Sequence, residues 1–392
     1  MQIMSEKKPT IYYFDHAATT ALDPRVLAAM EPYLTANYGN PSALYSVGKA
    51  ARQAVEKARA RVAELLHAQP NEIYFTSGGS ESDNTAIKGL CRTQQTQGKH
   101  LVTSAIEHPA VRESAKQLAQ NGWQVTYLPV SEDGVVQVDE AKRALTDDTA
   151  LISVMMVNNE VGTIQPIVQL AQLARERQIL MHTDAVQAAG CLELDVDKLG
   201  VDSLSVSAHK FYGPKGVGVL YLREGVTCQP LIAGGHQERG LRAGTENVAG
   251  IVGLAEAWSL AHRERETTQK HIKQLRDYYE QQVRQLIPNI IINGEQAERV
   301  AGISNICFRR IEGEGLVLLL DLQGICAATG SACSNLDLEP SHVLLAMGRS
   351  HEVAHGSLRV SIGKDNTREE IDYLLKHLMA SVEKLRAMSP LS

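Results

Sequence analysis

From about residue 48 onward, short apolar runs of strand character alternate with segments of helical periodicity, and this alternation restricts the fold more than any other feature. Residues 48–68 repeat apolar side chains at helical spacing, and 72–76 follows as a short strand ending in glycines. The pattern returns at 101–105, 124–129, 151–157, 179–183 and 203–207. Strands separated by helices predict a mainly parallel sheet covered on both faces. After residue 250 the pattern changes to a long charged helix over 258–286, expected to run along the outside as a connector. Strands at 290–293, 304–309 and 358–362 and helices at 316–322 and 367–387 then predict a second, smaller unit. The strand 10–14 fits either unit. The expected division is a large unit over 16–259 and a small one made of 1–15 and 260–392.

In an open parallel sheet the ligand lies beyond the carboxyl ends of the strands. Here those ends carry polar residues: Ser77-Gly78-Gly79-Ser80, Glu107-His108, Asn158-Asn159-Glu160, Asp184, and His209-Lys210. The glycine turn at 76–82 sits between a strand and a helix, where open N–H groups suit a phosphate; a plain strand-to-helix turn with a serine cap is the competing account. Asp184 follows the apolar run 179–181. A carboxylate there can keep a pyridine nitrogen protonated, or it can cap a helix, and Gln187 can donate to a phenolic oxygen of the same ring.

Lys210 ends the strand around 203–208 and is followed by the turn Tyr212-Gly213-Pro214. A partly buried amine of lowered pKa forms an imine with an aldehyde and later acts as a base; a lone lysine is ordinarily a solvated surface charge, and Ser207 and His209 beside it change that balance. His108 can stack on a flat ring and move protons, or fill the core. Asn159 is a turn residue or a cofactor contact. Arg359 is a clamp for a carboxylate or a member of an ion pair.

Six cysteines, Cys91, Cys191, Cys228, Cys307, Cys326 and Cys333, include no CxxC pair, so neither a disulfide framework nor a zinc site is expected. Cys333 alone lies in a stretch of small residues, Gly330-Ser331-Ala332-Cys333-Ser334, suited to a thiolate that reaches a substrate and then delivers what it captured. A net charge of -6 without a basic stripe argues against nucleic acid as a direct ligand. The polar opening and the absence of a run long enough to span a bilayer predict a cytoplasmic protein with no membrane segment.

Taken together these motifs resemble the cysteine desulfurases of the NifS/IscS type, a branch of the class V aminotransferase-like enzymes that use pyridoxal 5'-phosphate. The likeness runs from Asp15-His16-Ala17-Ala18-Thr19-Thr20 through Gly39-Asn40-Pro41-Ser42, the glycine turn, Asn158-Asn159-Glu160-Val161-Gly162, His182-Thr183-Asp184-Ala185-Val186-Gln187 and Ser207-Ala208-His209-Lys210. It continues with Gly234 to Thr245 and Ser331-Ala332-Cys333. The resemblance implies an α/β protein of the aspartate aminotransferase-like fold, with a large mainly parallel-sheet domain, a smaller α/β domain and a homodimer. It implies that Lys210 carries the cofactor, that Asp184 and Gln187 contact its ring, and that His108 stacks over it. Gly79, Ser80, Ser207 and His209 would hold the phosphate, joined by Thr245 from the partner subunit. Asn159 and Arg359 would meet the substrate, and no metal is implied.

The implied activity converts L-cysteine to L-alanine, with Lys210 moving the α proton and Cys333 taking the sulfur as a persulfide. An acceptor protein such as an iron-sulfur scaffold, or carriers for tRNA thiolation and thio-cofactors, would receive it. A lyase or aminotransferase acting on selenocysteine or cystine is the alternative. This sequence departs from many relatives at His16, where asparagine is common, and at Ser80, where threonine is common.

Overall fold

The computed structural model describes residues 10–94, 96, 98–330 and 340–389. The strands are, in order, β1 (Tyr12–Tyr13), β2 (Ile73–Thr76), β3 (His100–Ser104), β4 (Gln124–Leu128), β5 (Thr149–Ser153) and β6 (Leu180–Asp184). They continue with β7 (Ser203–Ser207), β8 (Gly218–Leu222), β9 (Ile290–Ile292), β10 (Ile303–Phe308), β11 (Ile325–Cys326) and β12 (Ser357–Ser361).

Seven strands form the large sheet in the order β2-β8-β7-β6-β5-β3-β4. Strands β3 to β7 pair in parallel, and β8 runs antiparallel to both β2 and β7. Because side chains alternate across a strand, neighbouring residues enter different cores. Val102, Ile152, Leu204 and Val219 join one apolar cluster, whereas Leu101, Leu151 and Leu220 join another. The helices Gly79–Gln94 and Pro109–Gln120 cover the second face through Ile87, Leu90, Val111 and Leu118. Each such fully buried aliphatic side chain stabilises by about 1.5–3 kcal/mol.

A smaller antiparallel sheet, β12-β10-β9, has its own cluster of Ile306, Phe308, Leu358 and Val360 packed with Leu316, Leu374 and Leu378. Strand β1 pairs in parallel with β11 and sends Phe14 into that cluster, so the amino-terminal strand joins the smaller sheet's side. One helix, Val248–Leu286, serves both cores: Ile251, Leu254 and Trp258 enter the first, and Ile272, Tyr279 and Val283 enter the other. It starts ten residues before the expected 258, and its first turns are buried rather than lying on the outside. Small residues explain this: a Cβ at Gly253 would come within 2.5 Å of the Met30 sulfur, so glycine permits close packing on the helix Pro24–Leu34.

Candidate active site

Every site residue foreseen at a strand end lies beyond a carboxyl end of the large sheet or in the turn that follows it. Strand β2 ends at Thr76, whose hydroxyl hydrogen-bonds the Ser82 hydroxyl at 2.7 Å, while Ser77 N donates to Glu81 Oε2 at 2.9 Å. Gly78 has φ of +150°, a conformation that L side chains rarely adopt. A Cβ at Gly79 would lie 2.6 Å from Val186 Cγ2, so the turn closes down on the end of β6. The helix Gly79–Gln94 begins there, and its first N–H groups have no intrahelical acceptor. Gly79 is buried, Ser80 is exposed at the same end, and the nearly buried Ser207 stands across the turn.

Asp184 ends β6 with 5% exposure, and its Oδ1 accepts from Val186 N at 2.9 Å. Burial raises its pKa, against the attraction of His108 and Lys210, which face it and favour the carboxylate. His108 caps the helix Pro109–Gln120 by accepting the Ala110 N–H at Nδ1, 3.2 Å away; burial lowers its pKa and holds the ring neutral. Gln187 donates to the Ala17 carbonyl at 2.8 Å.

Lys210 closes a short 3-10 turn after β7 and donates through Nζ to Ala17 O at 2.5 Å and Ala18 O at 2.9 Å. The 15–20 motif thus holds the lysine through its backbone. That contact was invisible to sequence reasoning, although the motif itself was singled out. The His209 ring meets Thr19 Oγ1 at 3.1 Å, and burial first, then Lys210, push its pKa down to about 4.

Arg359, on β12 and 3% exposed, donates to Asn159 O at 2.9 Å and to Asp15 Oδ1 at 2.7 Å, while its Nε has no partner among the described residues. Both foreseen roles are therefore open to it: it forms an ion pair and keeps one donor unused. Asn159 contributes its backbone here and is half-buried. Thr245 is exposed on the loop before the helix Val248–Leu286. Cys333 falls at 331–339, outside the described residues.

Sequence reasoning gave no role to two acidic groups, Glu107, named only as a polar strand-end residue, and Asp83. Glu107 is fully buried; its Oε1 accepts from Ser104 Oγ at 2.6 Å and Met155 N at 2.9 Å, and burial pushes its pKa up to about 8. Asp83 is 1% exposed behind Asp184, and burial and then the Asp184 charge raise its pKa. Only their placement before a histidine and inside a helix was visible in the chain.

The donor set fits pyridoxal phosphate. Gly78 and Gly79 form a cradle that a Cβ would fill or strain. A buried carboxylate, favoured by the Lys210 charge, is the partner that a pyridinium nitrogen needs, and a tethered amine is at hand for an aldehyde. Among the described residues no cluster of side chains could hold a metal ion.

The aminotransferase class-V family matches residues 12–374, nearly the whole chain, and the chain belongs to that family. Cysteine desulfurase IscS of Methanosarcina thermophila is 51% identical over 97% of this chain and 94% of that protein. The same enzyme of Dictyoglomus turgidum is 49% identical over 96% of each. A solved NifS-like protein superposes with a TM-score of 0.90 at 40% identity, covering 96% of this chain and all of that one. Another, SspA in complex with cysteine, does so at 0.82 and 36%, covering 91% of this chain and 100% of that one. Within the class V family, then, the chain belongs to the cysteine desulfurase branch.

Proposed function

We propose that the protein is a pyridoxal-phosphate-dependent cysteine desulfurase that converts L-cysteine to L-alanine and keeps the sulfur as a persulfide on Cys333. The observation that carries this reading is the convergence of Lys210 and His108 on Asp184, with Gln187 sharing the Ala17 carbonyl with Lys210 and Gly79 closing on Val186 just after Asp184. When bound, the cofactor supplies an electron-withdrawing ring that weakens bonds at the substrate α and β carbons. Lys210 holds the proton taken from the substrate α carbon at its Nζ, and the Ala17 and Ala18 carbonyls orient that nitrogen. Asp184 supplies the negative charge that keeps a ring nitrogen protonated, and His108, held neutral by burial, is available to take or give a proton on the ring face.

Gly79, Ser80, Ser207 and His209 bind the phosphate end, and the unused Nε–H of Arg359, beside Asn159, meets the substrate carboxylate. The Cys333 thiolate attacks the substrate sulfur: an S–S bond forms, the C–S bond breaks, and its electron pair takes a proton as alanine leaves. Atoms balance as cysteine plus thiol giving alanine plus persulfide.

The same reading includes a homodimer in which Thr245 reaches the partner's phosphate site, and an iron-sulfur scaffold or other thiolation carrier as acceptor. It takes the chain as two units, 16–259 and 1–15 with 260–392, supported by the separate apolar clusters of the two sheets. It also includes a cytoplasmic setting, supported by the free thiols of Cys91, Cys191, Cys228, Cys307 and Cys326. Among the described residues no helix is long and apolar enough to cross a membrane. The test is alanine release from L-cysteine by the cofactor-loaded protein: the wild type produces it and Lys210→Ala does not. Undiminished alanine from Lys210→Ala refutes the assignment.

A further inference from the structure

The Arg359 guanidinium, 3% exposed, is committed on two of its three nitrogens. Nη1 donates to Asn159 O at 2.9 Å, Nη2 donates to Asp15 Oδ1 at 2.7 Å, and Nε has no partner among the described residues. A carboxylate gripped by two prongs takes two neighbouring N–H groups of a guanidinium. Nε shares its edge with Nη2, which Asp15 already engages. A ligand carboxylate arriving at Nε therefore has to share Nη2 with Asp15 or stop at one hydrogen bond, and in both cases it lies beside a like charge.

Neither partner of this pair is free to swing away. Asp15 forms a parallel bridge with Ser361, and its carbonyl accepts from the Tyr13 hydroxyl at 3.0 Å and from Ala18 N at 3.0 Å. Two residues on, Ala17 N donates to Ser361 Oγ at 2.9 Å, and the Ala17 and Ala18 carbonyls hold Lys210. Arg359 is fixed independently of Asp15 by its place on β12 opposite Asn305 and by backbone hydrogen bonds exchanged with Ala328 at 2.6 and 3.2 Å. Glu160, the other acid near Arg359, is engaged by Ser341 Oγ at 2.5 Å, and burial pushes its pKa up to about 7. Asp15 is thus the acid that contacts the guanidinium.

We propose that Asp15 is a resident carboxylate that keeps Arg359 paired in the empty site and competes with the α-carboxylate of the amino acid, weakening the grip on substrate and product alike. The inference rests on the reading that Arg359 meets the substrate carboxylate. A buried guanidinium stripped of its counter-charge is costly, so the empty site needs such a partner. The same partner keeps the clamp from closing too tightly on alanine, whose carboxylate is the same as that of cysteine, and so favours product release.

The experiment titrates L-alanine, and separately cysteamine, an amine without a carboxylate, into the full-length cofactor-loaded protein and reads dissociation constants from the cofactor absorbance. Asp15→Asn keeps the shape and an acceptor oxygen and removes the charge. The expected result is L-alanine bound about five- to tenfold more tightly, with cysteamine within about twofold of the wild type. In an Arg359→Ala background the same substitution should change neither. Unchanged or weaker alanine binding in Asp15→Asn overturns the proposal, as does equal tightening of cysteamine or the same tightening without Arg359. If Asp15→Asn does not fold, Asp15→Ala, which vacates Nη2 altogether, is judged by the same outcomes. The underlying reading fails in a different way: Arg359→Ala binding L-alanine as tightly as the wild type would show that the carboxylate is not held there, and the proposal would fall with it.

Discussion

Replacing Arg59 by methionine probes the support beneath the glycine cradle. Arg59, 4% exposed on the helix Ser46–Leu66, forms a two-pronged pair with Glu238, both N···O distances being 2.8 Å. It also donates to Ile73 O at 2.7 Å and lies over the Phe75 ring at 4.8 Å. Glu238, 6% exposed, accepts from Phe75 N at 2.8 Å as well, so the pair grips β2 just before the turn at Ser77-Gly78-Gly79. Removing the arginine leaves a buried carboxylate without its counter-charge, which costs about 3–5 kcal/mol. Unfolding entropy of about 2.1 cal/mol/K per residue over 392 residues gives about 0.8 kcal/mol/K, so the melting midpoint should drop by about 4–6 °C. Adding Glu238→Gln should recover part of the loss by removing the stranded charge. Differential scanning calorimetry at one scan rate on the wild type, Arg59→Met, Glu238→Gln and the double variant measures this. A drop below about 1 °C, or a double variant worse than the sum of the singles, refutes the reasoning.

Glu107 makes stability depend on pH. Its folded pKa, about 8, is raised by burial from an ordinary 4.5, so its contribution is full below about pH 4.5 and is lost as pH rises through 8. Glu107→Gln should therefore lose less stability than the wild type between pH 5 and 8.5, read from urea midpoints; equal losses contradict the assignment. Gly79→Ala places a Cβ 2.6 Å from Val186 Cγ2 and should weaken cofactor binding by at least about tenfold, measured by absorbance titration, with an unchanged affinity refuting the cradle.

Local periodicity carried much of the fold. The runs at 72–76, 101–105, 124–129 and 203–207 became strands within a residue or so; those at 101–105 and 203–207 are buried on both faces, whereas β4, at the sheet edge, is largely exposed. The run 151–157 overshot: β5 ends at Ser153, after which Val154 N and Met156 N bond the His182 and Asp184 carbonyls in the same direction without forming a regular ladder. Strand β8 was missed because Gly216-Val217-Gly218 after Gly213-Pro214 looks like the remainder of a turn, and its antiparallel pairing to β2 and β7 is a tertiary fact. In the helix Val248–Leu286, Gly250 and Gly253 weakened the helical signal at the very place where close packing needs them. Site residues on strand ends were legible because the strands order them. The Arg359 to Asp15 pair joins positions 344 apart, and the hold of Ala17 and Ala18 on Lys210 runs through backbone atoms, so neither has a sequence signal.

The central claim is that sulfur leaves cysteine and lands on one thiol. Mass spectrometry of the cofactor-loaded protein after brief incubation with L-cysteine, with peptide mapping, tests it most directly. The account predicts one added sulfur on the peptide containing Cys333, appearing together with an equal amount of alanine. Alanine released with free sulfide and no mass gain on that peptide would contradict it.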